Sequence, residues 1–152
     1  MDRAAAESIL RTRGWLAGQP RGFQAALLRQ ARPVALDTGQ AAYRIEDEPG
    51  GMYGLAAGAL GVLVGEGGRA PRLAHVARPG AWLGHGPLMA GGRRVLGLRA
   101  MEPTVALLVP LAALQALALD SAEATRAFAV LVNANMGLLT TAVSDLLIPR
   151  RS

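Results

Sequence analysis

Between residues 33 and 109 the chain alternates short apolar runs with clusters of turn-forming residues. The runs are rich in valine, leucine and tyrosine, and the clusters read DTGQ, EDEPGG, GEGGRAP, ARPG and AGG. Such runs, bounded by glycine, proline and aspartate, predict strands joined by turns. The spacing indicates a sandwich, jelly roll or barrel. The predicted strands are 33–37, 41–45, 52–57, 60–65, 71–77, 94–100 and 104–109.

Helical patterns flank this β region on both sides. Residues 2–13 predict a short helix with Asp2 as its N-cap, and residues 20–31 predict a second helix that opens on a proline. After Pro110 the segment LAALQALAL predicts another brief helix. No regular alternation of helix and strand is present, so a doubly wound parallel sheet is not expected.

The last predicted helix is the longest element of the chain. It begins with Asp120 or Ser121 as N-cap and runs to Ile148, and Pro149 ends it. A helix of about 27 residues extends roughly 40 Å, more than a β domain of this size needs for its own packing. Asn135 is predicted to fix the register of two such helices, or alternatively to lie at the edge and bond to solvent. The apolar seam predicts a homodimer interface at Phe128, Leu131, Val132, Asn135, Leu138, Leu139 and Ala142.

Composition narrows the class of protein. The 152 residues are 51% apolar, which suits one compact domain with a core of its own. The absence of cysteine excludes disulfides, thiolate nucleophiles and Cys-ligated metals. The net charge of +5 comes from 16 scattered arginines with no lysine. These form no dense basic face of the kind that binds nucleic acid.

Few residues in the chain could carry catalysis or bind a metal. His75 and His85 are the two histidines, and no paired carboxylates, metal-ligand spacing or Walker-type loop accompany them. The sequence therefore predicts neither an enzyme nor a metal site. No apolar run reaches membrane-spanning length and the first residues lack a signal-peptide pattern, so a cytoplasmic protein that does not enter the membrane is expected.

Two stretches of sequence and the long helix together carry a resemblance to a known family. They are DTGQAAYRIEDEPGGMYGLAAGALGVLV at 37–64 and RPGAWLGHGPLMAGGRRVLGLRAMEPTVALLV at 78–109. From Gly14 to Pro149 the pattern resembles the N-terminal sensor domain of Crp/Fnr transcription regulators. The matching residues are Gly39, Gly51, Tyr53, Gly58, Pro79, Gly80, Gly84 and Arg94.

The resemblance implies a specific fold and domain organisation. The fold is mainly β with flanking α-helices, a double-stranded β-helix (jelly-roll β-roll) of the cyclic nucleotide-binding type followed by a long C-terminal dimerisation helix. The β-roll would occupy residues 1–119 and the dimerisation helix residues 120–149. Residues 150–152 would begin a hinge toward a DNA-binding domain that this chain does not contain.

The resemblance also implies a ligand site. Relatives hold a cyclic phosphate in a cassette that corresponds to residues 83–94, where GHGPLM supplies a turn and Arg94 a cation. Backbone amides near Gly84 and the Arg94 guanidinium are expected to form an electropositive niche inside the rolled sheet. The implied ligand-binding residues are Gly84, His85, Gly86, Leu88, Arg94, Val95, Thr140 and Thr141.

Two of these positions depart from the family pattern. His85 stands where relatives have a ribose-binding glutamate, and Val95 stands where a hydroxyl would meet the phosphate. Neutral imidazole offers one acceptor and valine offers none. Each lost contact weakens binding by about 1–3 kcal/mol, so low or absent affinity for cAMP is expected. Thr140 and Thr141 are the nearest hydroxyls for a purine, although Thr within a helix more often bonds the preceding turn.

The function that the resemblance implies is ligand sensing in a transcription regulator. A cyclic nucleotide such as cAMP or cGMP, or another small anion, would bind in the altered cassette and signal through the dimer helix. DNA would be contacted only by a helix-turn-helix domain outside this chain. The alternatives are a stand-alone dimeric interaction module without nucleotide binding, and a haem-based gas sensor with His85 as an iron ligand.

Overall fold

The computed structural model describes residues 1–65, 69–86 and 91–147, with the backbone alone for residues 138, 139, 142, 143, 145 and 146. In this part of the chain the helices are α1 (Arg3–Thr12), α2 (Arg21–Arg29), α3 (Leu111–Asp120) and α4 (Ala122–Leu147), and a 3-10 turn lies at Leu16–Gly18. The strands are β1 (Arg32–Leu36), β2 (Ala41–Tyr43), β3 (Gly51–Ala57), β4 (Leu60–Val64), β5 (Arg72–Ala77), β6 (Trp82–Leu83), β7 (Gly97–Ala100) and β8 (Thr104–Pro110).

The strands form two antiparallel sheets that pack face to face. One sheet has the order β1-β8-β3-β6 and the other β2-β7-β4-β5. Pairing of β4 with β5 confirms the predicted hairpin across residues 65–71, although residues 66–68 lie outside the described residues. This arrangement confirms the predicted jelly roll with flanking helices.

In this first sheet the strands β8 and β3 are buried on both faces, because their side chains alternate between two cores. In β8, Ala106 and Leu108 point between the sheets, whereas Leu107 and Val109 point to the helical layer. Successive side chains of a strand face opposite sides of the sheet, which explains why β8 reads as a continuous apolar run. The helices therefore cover a face that would otherwise expose apolar surface.

Two helix caps that the sequence predicts are present. The Asp2 carboxylate accepts a hydrogen bond from the Ala5 amide at 2.8 Å, which satisfies a free donor of α1. At the start of α4 the Ser121 hydroxyl accepts from the Ala124 amide at 3.2 Å. Of the two candidates, Ser121 rather than Asp120 is the cap of the long helix.

The first turns of α4 belong to the chain's own core. Phe128 is 1% exposed and Leu131 is also buried, in the cluster formed by the helices and the outer face of the sheet. Phe128 stacks on Trp15 at 6.0 Å and meets Phe23 edge-on at 5.5 Å between ring centroids. The prediction that Phe128 and Leu131 face a partner chain is therefore wrong, because intramolecular contacts already bury both side chains.

The remaining seam residues have different surroundings. Val132 is half-buried, and the side chains of Leu138, Leu139 and Ala142 lie outside the described residues. Among the described side chains of α4, the exposed large apolar ones are instead Val130, Met136 and Leu147.

The predicted strand at 94–100 begins later than expected. In the structure β7 starts at Gly97, and residues 94–96 precede it. The sequence also missed β6, a strand of two residues that pairs with β3 through Trp82 and Leu83. A strand this short shows no apolar periodicity, so no local pattern reveals it.

Candidate functional site

Arg94 is the most buried charged side chain in the described part of the chain, with 3% of its surface exposed. Its Nη1 donates a hydrogen bond to the Gly84 carbonyl oxygen at 2.8 Å, and its Nη2 donates to the Gly51 carbonyl oxygen at 2.6 Å. The guanidinium thus bridges the turn after β6 and the first residue of β3. The prediction that Arg94 lies beside Gly84 inside the roll is confirmed, but the group it meets there is a carbonyl rather than an amide.

The Tyr43 ring packs against this guanidinium, and Tyr53 packs against Tyr43. The Arg94 Cζ lies 3.8 Å from the centroid of the Tyr43 ring, a cation–π contact, and Tyr43 lies 5.9 Å from Tyr53. Burial raises the pKa of the Tyr43 hydroxyl to about 12, against the opposing influence of Arg94. Burial likewise raises the pKa of Tyr53. Both rings therefore remain neutral at physiological pH and do not compensate the charge of Arg94.

The backbone of Arg94 is fixed as firmly as its side chain. Its amide donates to the Asp47 carbonyl oxygen at 2.9 Å, and the Glu46 amide donates to the Arg94 carbonyl oxygen at 2.7 Å. This pair joins Arg94 to the turn that follows β2. Together the main-chain and side-chain bonds hold the cation in a single position within the roll.

Arg94 has no carboxylate partner among residues 1–65, 69–86 and 91–147. The ion pairs there join Arg3 to Glu7 and Arg93 to Glu48. The Arg94 Nε is buried and makes no hydrogen bond. A buried cation without a counter-charge is energetically costly. The site is therefore suited to an anionic group.

The turn that faces Arg94 requires glycine. Gly84 has a φ of +96°, and a methyl group there would lie 2.9 Å from the Gly51 carbonyl oxygen and 3.1 Å from the Arg94 Nη1. A larger residue would push the turn away from the guanidinium. Gly86 is exposed with helical backbone, and Leu88, the next predicted ligand residue, lies outside the described residues.

His85 and Asn135 join this turn to α4. The Asn135 Nδ2 donates to the Trp82 carbonyl oxygen at 2.8 Å and lies 3.3 Å from the His85 Nδ1. Burial lowers the pKa of His85, and the Arg94 charge lowers it further. Asn135 therefore contacts its own chain. Its Nδ2 is thus used within the protomer, and a role of Asn135 across a dimer axis stays a prediction.

The other predicted ligand residues lie apart from Arg94 or are already bonded. Val95 is 77% exposed and points to solvent, in contrast to the buried residue before it. Thr140 and Thr141 are exposed on α4, and the Thr141 hydroxyl donates to the Gly137 carbonyl oxygen at 3.1 Å. Such a bond to the preceding helical turn is the common arrangement for threonine within a helix.

Sequence reasoning missed the groups that position Arg94. Tyr43 and Gly51 both fall within segments predicted as strand or turn, and neither carries a local sign of contact with residue 94. A signal existed for Tyr43 alone: an aromatic residue on a strand is a suitable partner for a buried arginine. The Gly51 contact uses a backbone carbonyl, which every residue type provides.

A groove of about 500 Å³ lies beside Trp82, and Arg94 is not among its lining residues. It lies between α4, the 3-10 turn and the loop before β6, and its walls are mainly apolar. Asn135 lies at its edge, so the residue that contacts His85 also borders this groove. The lining includes Trp15, Gln19, Pro79, Trp82, Val130 and Ala134.

Comparison with known proteins identifies the family. The model of the cyclic nucleotide-binding domain matches residues 33–121, which is more than half of the chain. The chain therefore belongs to the cyclic nucleotide-binding domain family, and its jelly roll is of that type. A search of curated protein sequences finds no match.

Solved structures show the same fold at low sequence identity. A candidate cyclic nucleotide binding protein from Ruegeria pomeroyi superposes with a TM-score of 0.75 at 15% identity, over 100% of this chain and 66% of that one. The Catabolite Activator Protein of Thermus thermophilus has a TM-score of 0.72 at 18% identity, over 87% and 62%. The c-di-GMP responsive global regulator CLP of Xanthomonas campestris has 0.71 at 18%, over 86% and 66%. The chain thus spans just under two thirds of the length of each of these proteins.

Two further findings concern membranes and metals. Within the described residues, no helix combines the length and the apolar character needed to cross a membrane. In the same residues no three His, Cys, Asp or Glu side chains come together as a metal site.

Proposed function

We propose that the chain is the ligand-sensing regulatory domain of a Crp/Fnr-like transcription regulator. It binds a small anion, a cyclic nucleotide or a related phosphate ester, at Arg94 and signals through α4. The observation that carries the proposal is the buried Arg94 guanidinium, which has no carboxylate partner among the described residues and keeps an unbonded Nε. The proposed role is regulatory and not catalytic.

An anion would bind by taking the place of a carbonyl. Arg94 donates to two carbonyl oxygens, which carry only partial negative charge, at Gly84 and Gly51. A phosphate oxygen bears a full charge and forms a charge-assisted bond, about twice as strong as a neutral one. Binding would therefore exchange the bond to Gly84 for a stronger one and move the turn that carries it.

A cyclic nucleotide fits this site only in part. Arg94 suits the phosphate, but no carboxylate in the described residues contacts Arg94 or His85 to accept from a ribose hydroxyl. The Thr141 hydroxyl already donates to its own helix. We therefore expect cAMP or cGMP to bind weakly, and an anion recognised mainly through its phosphate to bind at least as well.

The signal would leave the site through α4. Movement of Gly84 displaces His85, the next residue, which contacts Asn135 on the helix. A ligand that binds one arrangement of turn and helix more tightly than another shifts the population between them. In this proposal α4 contacts the turn after β6 through Asn135 and carries the signal away from it.

We further propose that the chain forms a homodimer through the exposed part of α4. Val130 and Met136 are apolar and exposed on this helix, and they replace Phe128 and Leu131 as candidate contacts. In this proposal residues 1–119 form the sensor, residues 120–149 the dimerisation helix, and residues 150–152 lead toward a DNA-binding domain. DNA would be bound only through that domain, in the cytoplasm.

Two alternatives stay as predictions without a supporting observation. A stand-alone dimeric interaction module would need α4 but not Arg94. A haem-based gas sensor would use His85 as an iron ligand, and the His85 Nδ1 already faces the Asn135 amide. That contact leaves Nε2 as the ring nitrogen for a metal.

Isothermal titration of the full chain tests the proposal. The ligands are cAMP, cGMP, cyclic di-GMP and inorganic phosphate, and the variant is Arg94→Lys, which keeps the charge but loses the planar pair of donors. We expect at least one organic ligand to bind, with affinity about tenfold or more lower in the variant.

The matched control is Arg93→Ala, at the neighbouring exposed position, where the side chain pairs with Glu48 at the surface. Its affinity should equal that of the unmodified chain. Circular dichroism confirms that each variant is folded. Absence of binding heat for every ligand, or equal affinity in Arg94→Lys, would contradict the proposal.

A further inference from the structure

The contact between α4 and the turn after β6 has a defined hydrogen-bond direction. Asn135 is half-buried, and its Nδ2 lies 2.8 Å from the Trp82 carbonyl oxygen and 3.3 Å from the His85 Nδ1. A carbonyl oxygen only accepts, so the group of Asn135 that faces Trp82 must be the NH₂ and not the amide oxygen. Trp82 therefore fixes the orientation of the Asn135 side chain.

This orientation favours one protonation state of His85. The Asn135 NH₂ carries two hydrogens, one of which points to Trp82, and the other is available to His85. The His85 Nδ1 can accept that hydrogen only if it carries none itself. The ring is then neutral with its proton on Nε2, a donor, and the acceptor nitrogen is occupied by α4.

The charged groups around His85 act in the same direction. Arg94 is the charge that acts on the ring, and it lowers the pKa of His85 in addition to the effect of burial. On the α4 side, residues 127–144 contain no ionisable side chain, and residues 87–90 of the chain contain none either. Tyr43 and Tyr53, beneath Arg94, stay neutral because burial raises the pKa of each. No described anion therefore opposes the influence of Arg94.

We propose that Asn135 and His85 form a proton-controlled clasp, which holds the Asn135 segment of α4 against the turn while His85 is neutral and loosens that segment when His85 is protonated. Protonated Nδ1 becomes a donor and faces the Asn135 NH₂, so two donors oppose each other and the contact breaks. The bond to the Trp82 carbonyl then remains as the single polar link of Asn135. The clasp needs no bound effector, and the proposed ligand signal would pass through the same contact between His85 and Asn135.

Nuclear magnetic resonance of the full chain tests the clasp. Ring nitrogen shifts of His85 at pH 8 report the tautomer, and the His75→Gln variant assigns the two histidines. We expect an unprotonated Nδ1 for His85. As pH falls, the backbone amides of residues 131–137 should shift with the same midpoint as the His85 ring.

Hydrogen exchange gives the size of the effect. Protection factors of the α4 amides near Asn135 should fall about two- to tenfold in Asn135→Leu, the range expected for losing one hydrogen bond. In the same variant the His85 midpoint should move upward, because the donor that favours the neutral ring is gone. The matched control is Asn133→Leu, an exposed position on the same helix, which should change neither quantity.

A second variant keeps the test valid if Asn135→Leu does not fold. His85→Gln retains a hydrogen-bond acceptor without an ionisable group, so α4 should stay protected and its amides should no longer shift with pH. The clasp is refuted by an Nδ1-protonated ring at pH 8, by α4 amides that do not follow the His85 titration, or by equal behaviour of the variants at 133 and 135.

Discussion

Replacing Phe128 by alanine distinguishes a core residue from a dimer contact. The side chain is 1% exposed and packs against Trp15 and Phe23, at 6.0 Å and 5.5 Å between ring centroids. Removing a fully buried phenylalanine costs about 3–5 kcal/mol through lost transfer energy and the cavity left behind. Because both aromatic contacts are lost as well, we expect a value of about 4 kcal/mol.

That loss is a large part of the total stability, since a domain of this size unfolds with about 5–15 kcal/mol. Urea unfolding measures it, and sedimentation equilibrium measures self-association in the same buffer. For Phe128→Ala we expect lower stability and an unchanged association constant. The control is Val130→Ala, two residues away and 51% exposed, which should lose less than about 1 kcal/mol.

The opposite pattern would refute the reasoning. If Phe128→Ala lost less than about 1 kcal/mol, the aromatic contacts within the protomer would not hold α4 in place. If it instead weakened self-association while unfolding stayed unchanged, the ring would face a partner chain, as its heptad position first indicated.

Two further predictions concern packing and pH. Gly54→Ala should lower the free energy of unfolding by about 1–3 kcal/mol, because the added methyl group would lie 2.6 Å from the Trp82 ring. The control is Gly137→Ala, which has open space around it and should be neutral or stabilising in the same thermal unfolding measurement. The pKa of His85 lies below its ordinary value of 6.5, so the unfolded chain takes up this proton first. The stability that the neutral His85 ring contributes is complete above pH 6.5 and is lost as pH falls through the folded-state pKa. Urea unfolding at a series of pH values measures this loss, and the His85→Gln variant should not show it.

The apolar pattern predicted most of the β-roll but could not assign the partner of the long helix. Periodicity reports which face of a helix is buried and not which chain buries it. The spacing of Phe128 and Leu131 is equally compatible with a coiled coil between two chains and with packing inside one chain. The rings that fill the space, Trp15 and Phe23, lie more than 100 residues earlier, and only the fold brings them to this helix.

The candidate site was predictable to the extent that it depends on side-chain type. The family resemblance predicted that Arg94 and Gly84 lie together, and the structure has them joined by a hydrogen bond. The carbonyl of Gly51 and that of Trp82 could not be predicted, because main-chain groups have no sequence signature. The role of Asn135 was missed for the related reason that a polar residue in an apolar seam can bond within its chain or across an axis.

The Trp15 indole joins parts of the chain that lie on either side of the segment that defines the family. Its Nε1 donates to the Ala127 carbonyl oxygen on α4 at 2.8 Å, which ties a residue before the matched segment to one after it. Leu10 and Phe23 join the same buried cluster from the N-terminal side. A fragment trimmed to residues 33–121 would lose the helices before β1 and also α4. The apolar outer face of the sheet would then be exposed, so we expect this fragment to aggregate.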